Sequence, residues 1–274
     1  MEQMEQMEQV VVLSRGLGSR MRKEDPSAAL DAMQARAAAG GVKAMIPIGR
    51  PFLDYVLAVA ADAGYRRVCL VVGPEHGQIR EYYSRLKPKR LQIAFAVQAE
   101  PLGTADAVAA AEEAVGGRPF LMLNSDNHYP LEALLALRGA SGSAVVAFDQ
   151  DAMVAKSNIP PERLLGFAVI EADGEGFLKR IIEKPDERSL SRLPRPWGIG
   201  MNCWRFTPTI FRACRSIGPS PRGELEITDA VQYAIDRMGE RFGVFRCAAP
   251  VLDLSSRGDI ESVARRLAGV EVNL

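Results

Sequence analysis

The sequence predicts an α/β fold on three observations. Short β-branched runs alternate with helical stretches, the first run breaks into a glycine loop, and the chain is long enough for one large domain. Its 274 residues are 47% hydrophobic and 25% charged, the balance of an ordinary globular chain with a core to bury. Residues 10–13 are the first buried strand, stopping at Ser14-Arg15-Gly16-Leu17-Gly18-Ser19-Arg20. An alanine-rich stretch over 26–39 reads as a helix opened by Pro26 and closed by Gly40-Gly41. Lys43-Ala44-Met45-Ile46-Pro47 leads through Arg50-Pro51 to an amphipathic helix over 52–63, ended by Gly64.

Strand and helix then alternate: strand 67–72, helix 75–85, strand 91–97, helix 105–115, strand 120–123, helix 131–137 and strand 144–148. Such βαβ units place helices on both faces of a largely parallel sheet. Past Asp149 the rhythm changes. Segments 164–170 and 177–182 read as strands paired around Asp173-Gly174. Strand 197–206, helix 226–238, strand 243–247 and helix 259–267 complete the chain. No linker divides it, and no hexapeptide repeat follows.

Thirty-four basic residues balance thirty-four acidic ones. The basic excess of a nucleic-acid binder is missing, although a sum is silent about local patches. Cys69, Cys203, Cys214 and Cys247 form no CxxC pair and are expected to be reduced and buried. His76 and His128 are too far apart to suggest a zinc site. No apolar stretch approaches the roughly 20 residues of a membrane span. The opening MEQMEQMEQ is acidic and lacks the features of a signal peptide, so a cytoplasmic protein is expected.

The loop Gly16-Leu17-Gly18-Ser19-Arg20-Met21 begins like a dinucleotide fingerprint, but Met21 stands where the third glycine belongs. Arg20 follows the loop directly, where a guanidinium could reach phosphates cradled by backbone N–H groups. The plainer reading is a tight strand-to-helix turn carrying a surface arginine.

Further segments shift that balance. Leu13 to Met21 resembles the L-A-A-G-x-G-T-R-[ML] signature of the sugar-1-phosphate nucleotidyltransferases. Lys43-Ala44-Met45-Ile46-Pro47 resembles their K-x-[ML]-[LIV]-P element, and Gly49-Arg50-Pro51-Phe52-Leu53 its continuation. Gln98-Ala99-Glu100-Pro101-Leu102-Gly103-Thr104-Ala105 is similar to their Q/E-x-x-P-x-G-T-A loop. Leu123-Asn124-Ser125-Asp126 resembles L-x-G-D, Gly166-Phe167-Ala168-Val169 resembles Y-G-V, and Glu183-Lys184-Pro185 is their E-K-P. Gly223 to Asp229 is similar to R-G-E-L-E-I-T-D, and Val251-Leu252-Asp253 to the late W-x-D. These elements occur in the family's order over most of the chain.

The resemblance implies a Rossmann-like three-layer α/β/α fold with a mixed central sheet. It implies a disordered or helical tail over 1–9 and one domain over 10–274. A nucleotide half would cover about 10–149 and a sugar-binding half about 150–274. The implied reaction joins a nucleoside triphosphate to a sugar-1-phosphate and releases pyrophosphate. Two polyanions must meet, so positioning and charge neutralisation dominate. Arg20, Lys43 and Asp126 are the implied catalytic groups. Asp126 ends an apolar strand, where open α/β sheets bind ligands, and with Asp253 it would hold Mg2+. Leu13, Ser14, Gly16, Gly18, Ser19, Pro101, Gly103 and Thr104 would line the nucleotide. Gln98 would read the base, favouring UTP or dTTP. Gly166, Glu183, Lys184, Asn202 and Trp204 would face the sugar phosphate. No nucleic acid or membrane partner is implied, and a homo-oligomer stays open.

Several positions depart from the pattern. Ser14-Arg15 replaces two small residues, so Arg15 must point away, meet a phosphate or alter nucleotide choice. The insert 26–39 forms either a lid or a surface ornament. Asn202 stands where the family has glycine: it either hydrogen-bonds a polar substituent or caps a bent strand. The alternatives are a GTP- or CTP-using transferase of mannose-, heptose- or amino-sugar phosphates or phosphocholine, and an inactive sugar-nucleotide sensor. Retention of the full charge set speaks against the sensor.

Overall fold

Alternation along the first strand sets the layering. In β1 (Gln9–Leu13), Val10 and Val12 enter one apolar cluster and Val11 enters the other. A strand buried on both faces needs a layer on each side. The computed structural model describes residues 7–193, 195 and 197–274.

The main sheet has nine strands. After β1 come β2 (Arg67–Val72), β3 (Gln92–Val97), β4 (Phe120–Asn124) and β5 (Ser143–Phe148). They are followed by β6 (Ala168–Ala172), β7 (Leu178–Ile182), β8 (Gly198–Phe206) and β9 (Phe242–Cys247). The order is β7-β6-β8-β4-β1-β2-β3, with β5 branching from β8 and β9 pairing with β5. Pairs β1–β2, β1–β4, β2–β3 and β5–β9 are parallel. β8 runs antiparallel to β4, β5 and β6, and β7 antiparallel to β6. The sheet is therefore mixed, as the resemblance implies.

Helices Phe52–Asp62, Gly77–Leu86, Leu131–Gly139 and Asp259–Leu267 feed the first apolar cluster. Helices Thr104–Ala109, Thr209–Cys214 and Ile227–Met238 feed the second. The result is a three-layer α/β/α arrangement.

Local chemistry moves several expected boundaries. The helix expected over 26–39 begins at Ala32, because Asp31 and Gln34 form a reciprocal capping box. The helix expected over 105–115 is two, Thr104–Ala109 and Glu112–Val115. The strand expected over 164–170 starts at Ala168, after a helical turn at Pro161–Leu164. Of the expected tail, residues 1–6 lie outside the described residues. Met7 is buried, and Gln9 Nε2 donates to Val115 O (3.1 Å) and Pro119 O (3.3 Å), so the packed chain begins earlier than residue 10.

β8 changes neighbours along its length. Its first residues pair with β6 and its last with β4, and the register shifts between Gly200 and Trp204. Asn202 sits in that irregularity with φ +54, a left-handed backbone that asparagine tolerates better than most residues.

Candidate active site

Parallel pairing brings the C-terminal ends of β1, β2, β3 and β4 to one edge of the sheet. That edge is where open α/β sheets bind ligands. A cavity of about 340 Å³ opens there. Its walls include Leu13, Ser14, Gly16, Gly18, Ser19, Arg20, Lys43, Gln98, Pro101, Gly103, Thr104 and Asp126. Every expected nucleotide-binding residue and all three expected catalytic residues thus share one hollow. Ser14 is buried, and its Oγ has no partner among the described residues. A buried orphan hydroxyl on a cavity wall can hydrogen-bond a ligand.

The glycine loop is held by the insert. Gly18 has φ +61, and a Cβ there would lie 2.0 Å from Gly41 O. The loop fits only because Gly18 carries no side chain against the end of helix Ala32–Gly40. The insert itself packs behind the loop, on Ser19–Arg22 and on Lys43–Met45. Of it and its flank, only Val42 and the residues after it reach the cavity. In this arrangement it buttresses the glycine loop.

Two motifs far apart in sequence build the opposite wall. Leu225 N donates to Leu102 O (2.7 Å), Ala105 N to Leu225 O (2.8 Å) and Ile227 N to Thr104 Oγ1 (2.8 Å). Gly103 has φ +129, and a Cβ there would sit 2.5 Å from Leu225 O. The clasp brings Glu224 to the cavity. Gln98 is buried, and its Nε2 donates to Gly103 O (3.0 Å) and Asp106 Oδ2 (2.8 Å).

Arg15 also lines the cavity, but its guanidinium is committed elsewhere. Nη1 donates to Gln98 O (2.7 Å), Nε to Glu75 Oε1 (3.2 Å) and Nη2 to Glu75 Oε2 (3.5 Å). Gly73 makes room for this pair: a Cβ there would lie 2.3 Å from Glu75 and 2.5 Å from Arg15 Nε. Arg15 thus ties the ends of three strands together.

Elsewhere on the cavity wall, Lys43 Nζ lies 2.8 Å from Asp126 Oδ2. Asp253 sits beside Asp126. Leu254 N donates to Asp126 O (2.9 Å), and Asp253 pairs with Asn127 across a two-residue ladder. Burial, and next the charge of Asp126, push the Asp253 carboxyl above the usual carboxylate range. Asp253 Oδ1 accepts from Asn127 Nδ2 (2.9 Å), while Arg163 pairs with Asp253 Oδ2 and holds Asp259 Oδ1 at 2.6 Å. Arg163, Asn127 and Asp106 were not singled out in the sequence. Arg163 is reached only through partners 90 and 96 residues away, although an arginine three residues before Gly166 was a visible signal.

The expected sugar-side residues are less united. None of Gly166, Glu183, Lys184, Asn202 and Trp204 lines the cavity. Gly166 follows the turn bearing Arg163, with its N–H donating to Arg163 O (2.9 Å). Glu183 is pushed up to about 7, by burial and then by Glu226, with Asp229 and Glu224 adding and Arg222 opposing. It belongs to an acidic group whose member Glu224 reaches the cavity. Lys184 is exposed, with φ +44. Asn202 serves the bent strand, its Oδ1 accepting from Trp204 Nε1 (3.3 Å). Trp204 is a correction: it is 1% exposed and stacks on Phe206 at 5.5 Å in the second apolar cluster. The alternation of β8 sends it into the core with Phe206.

The fold is a mixed α/β sheet with a cavity at the carboxyl edge of its parallel strands, the usual ligand site of such sheets. The chain matches the nucleotidyl transferase family over residues 39–248 and belongs to that family. It is 31% identical over 82% of its length to the low-salt glycan biosynthesis nucleotidyltransferase Agl11 of Haloferax volcanii, covering 58% of that protein. It is 32% identical over 82% of its length to the glucose-1-phosphate thymidylyltransferase of Streptomyces antibioticus, covering 57%. The chain thus spans less than two thirds of these relatives. With the UTP–glucose-1-phosphate uridylyltransferase AglF of Haloferax volcanii it shares 26% identity, over 94% of this chain and 96% of that one. A crystal structure of UDP-glucose pyrophosphorylase complexed with UDP-glucose superposes with a TM-score of 0.74. It covers 97% of this chain and all of that one at 18% identity, a likeness of fold.

Proposed function

We propose that this chain joins UTP or dTTP to a sugar-1-phosphate, giving a nucleoside-diphosphate sugar and pyrophosphate. The observation that carries the reading is the single cavity that joins the glycine loop, Arg20, Lys43 and Asp126 to Gln98. An oxygen of the sugar phosphate attacks the α-phosphorus in line. The bond from that phosphorus to the bridging α–β oxygen breaks, and pyrophosphate leaves with the electron pair. Backbone N–H groups of residues 16–20 and the Arg20 guanidinium bind the triphosphate. Lys43 is placed to exchange Asp126 for phosphate oxygens as substrate arrives.

Asp126 and Asp253 suit a hard divalent cation. Two adjacent carboxylates, one of them buried and pushed up partly by its neighbour, form a donor set that Mg2+ would relieve. Asn127, Arg163 and Ser255 all contact the Asp253 carboxyl, whose two oxygens together offer about four lone pairs. When bound, Mg2+ would neutralise charge on the reacting phosphates. Asn127 and Arg163 keep Asp253 oriented meanwhile.

The names of the thymidylyl- and uridylyltransferase relatives support UTP or dTTP with glucose-1-phosphate as the first pair to try. We place the work in the cytoplasm: four free, buried cysteines suit a reducing compartment. Among the described residues no helix is long and apolar enough to cross a membrane. The test is pyrophosphate release from five triphosphates against a panel of sugar-1-phosphates, with and without Mg2+. Selective turnover of UTP or dTTP is expected. Preference for ATP, GTP or CTP, or no turnover at all, overturns the reading.

A further inference from the structure

We propose that Asp106 is a positioning residue for base selection, fixing which face of the Gln98 amide the base meets. This inference rests on the reading that Gln98 recognises the base. A glutamine amide has a donor side and an acceptor side, and rotating it by half a turn exchanges them. In the cavity wall both Nε2 protons are spent, on Gly103 O at 3.0 Å and on Asp106 Oδ2 at 2.8 Å. Both partners are acceptors. A rotated amide would set Oε1 against two oxygens, so its orientation is fixed by chemistry.

The backbone of Gln98 is held as firmly. Its N–H donates to Val72 O (3.0 Å), and its carbonyl accepts from Arg15 Nη1 (2.7 Å). What the amide has left to offer is Oε1, an acceptor. Uracil and thymine present a ring N3–H that such an oxygen takes. Cytosine presents a bare N3 lone pair at the same place, which it repels. Asp106 itself lies outside the cavity lining and within the first turn of Thr104–Ala109. It acts through Gln98 alone, and the carboxylate is the stronger of the two acceptors because it is charged.

Isothermal titration of the whole chain with UTP and with CTP, in the absence of a sugar phosphate, tests this. The wild type is expected to bind UTP more tightly. Asp106→Ala, which suits a helix already built from Ala105, Ala107 and Ala109, should narrow the UTP:CTP ratio by about tenfold, the value of one charge-assisted hydrogen bond. Asp106→Leu, close to aspartate in shape and without an acceptor, should do the same, should the alanine variant fold poorly. Asp106→Asn keeps an acceptor for Nε2 and should restore the ratio to within about threefold of wild type. If Gln98→Ala erases the preference while Asp106→Ala and Asp106→Leu retain it, the role of Asp106 is overturned and base reading by Gln98 stands. If Gln98→Ala leaves the preference unchanged, both fall.

Discussion

Lys43 Nζ and Asp126 Oδ2 are 2.8 Å apart, so a cation suited to phosphate neutralises a carboxylate suited to a metal. Each group is partly exposed, and the pair adds little to stability. Asp126→Asn and Lys43→Ala should each cut kcat by about a hundredfold or more. Their melting temperatures should stay within about 5 °C of wild type. Steady-state pyrophosphate release and thermal unfolding check the two halves of that expectation. Turnover retained in Asp126→Asn removes it from the chemistry.

Gly103 faces the backbone of Leu225 with no space for a side chain. Gly103→Ala should destabilise the chain by about 2 kcal/mol or more, from the positive φ and the contact together. Because the loop that anchors Gln98 shifts with it, KM for the triphosphate should rise more than kcat falls. Urea unfolding and a triphosphate titration at saturating sugar phosphate measure both effects.

Arg163 compensates two buried carboxylates at once, Asp253 and Asp259. Arg163→Ala leaves both uncompensated and should cost about 3–5 kcal/mol in urea unfolding. Arg163→Lys offers a single ammonium and should recover only part of the loss, since it cannot span both partners. Full recovery by lysine would mean that the forked geometry is irrelevant.

Glu183 has a carboxyl raised from its ordinary value to about 7 in the folded chain. A raised acid binds its proton more tightly folded than unfolded, so its contribution to stability is lost as pH rises from about 4.5 to about 7. Glu183→Gln removes that titration. The variant should melt higher than wild type at pH 8 and show a smaller difference at pH 4.5. Thermal melts across that range decide it, and an unchanged slope counts against the raised carboxyl.

The alternation of β-branched runs with helices carried the layer architecture, and the glycine loop with its flanking charges carried one wall of the cavity. Both are local features, written in consecutive residues. The rest depended on distance. Arg163 gains its role only when β-strand order brings Asp253 and Asp259 to it. The resemblance puts Trp204 beside the sugar phosphate. Its parity with Phe206 along a strand was the better guide, and it points into the core. Asp31 with Gln34 outranked Pro26 as a helix start, because a reciprocal cap satisfies two backbone donors where proline satisfies none. Glu183 and Lys184 read clearly as a motif, and their strand was paired correctly with its neighbour, but the pattern did not show that this hairpin ends outside the cavity lining.

The clasp between Leu225 and the loop after Gln98 has a practical corollary for engineering. A graft that moves residues 98–107 alone into a relative would leave its amide and carbonyl groups facing a foreign surface. Segment 220–229 must be transplanted with it. Chimeras that keep the clasp intact should therefore exchange these two stretches together, although more than a hundred residues separate them in the chain.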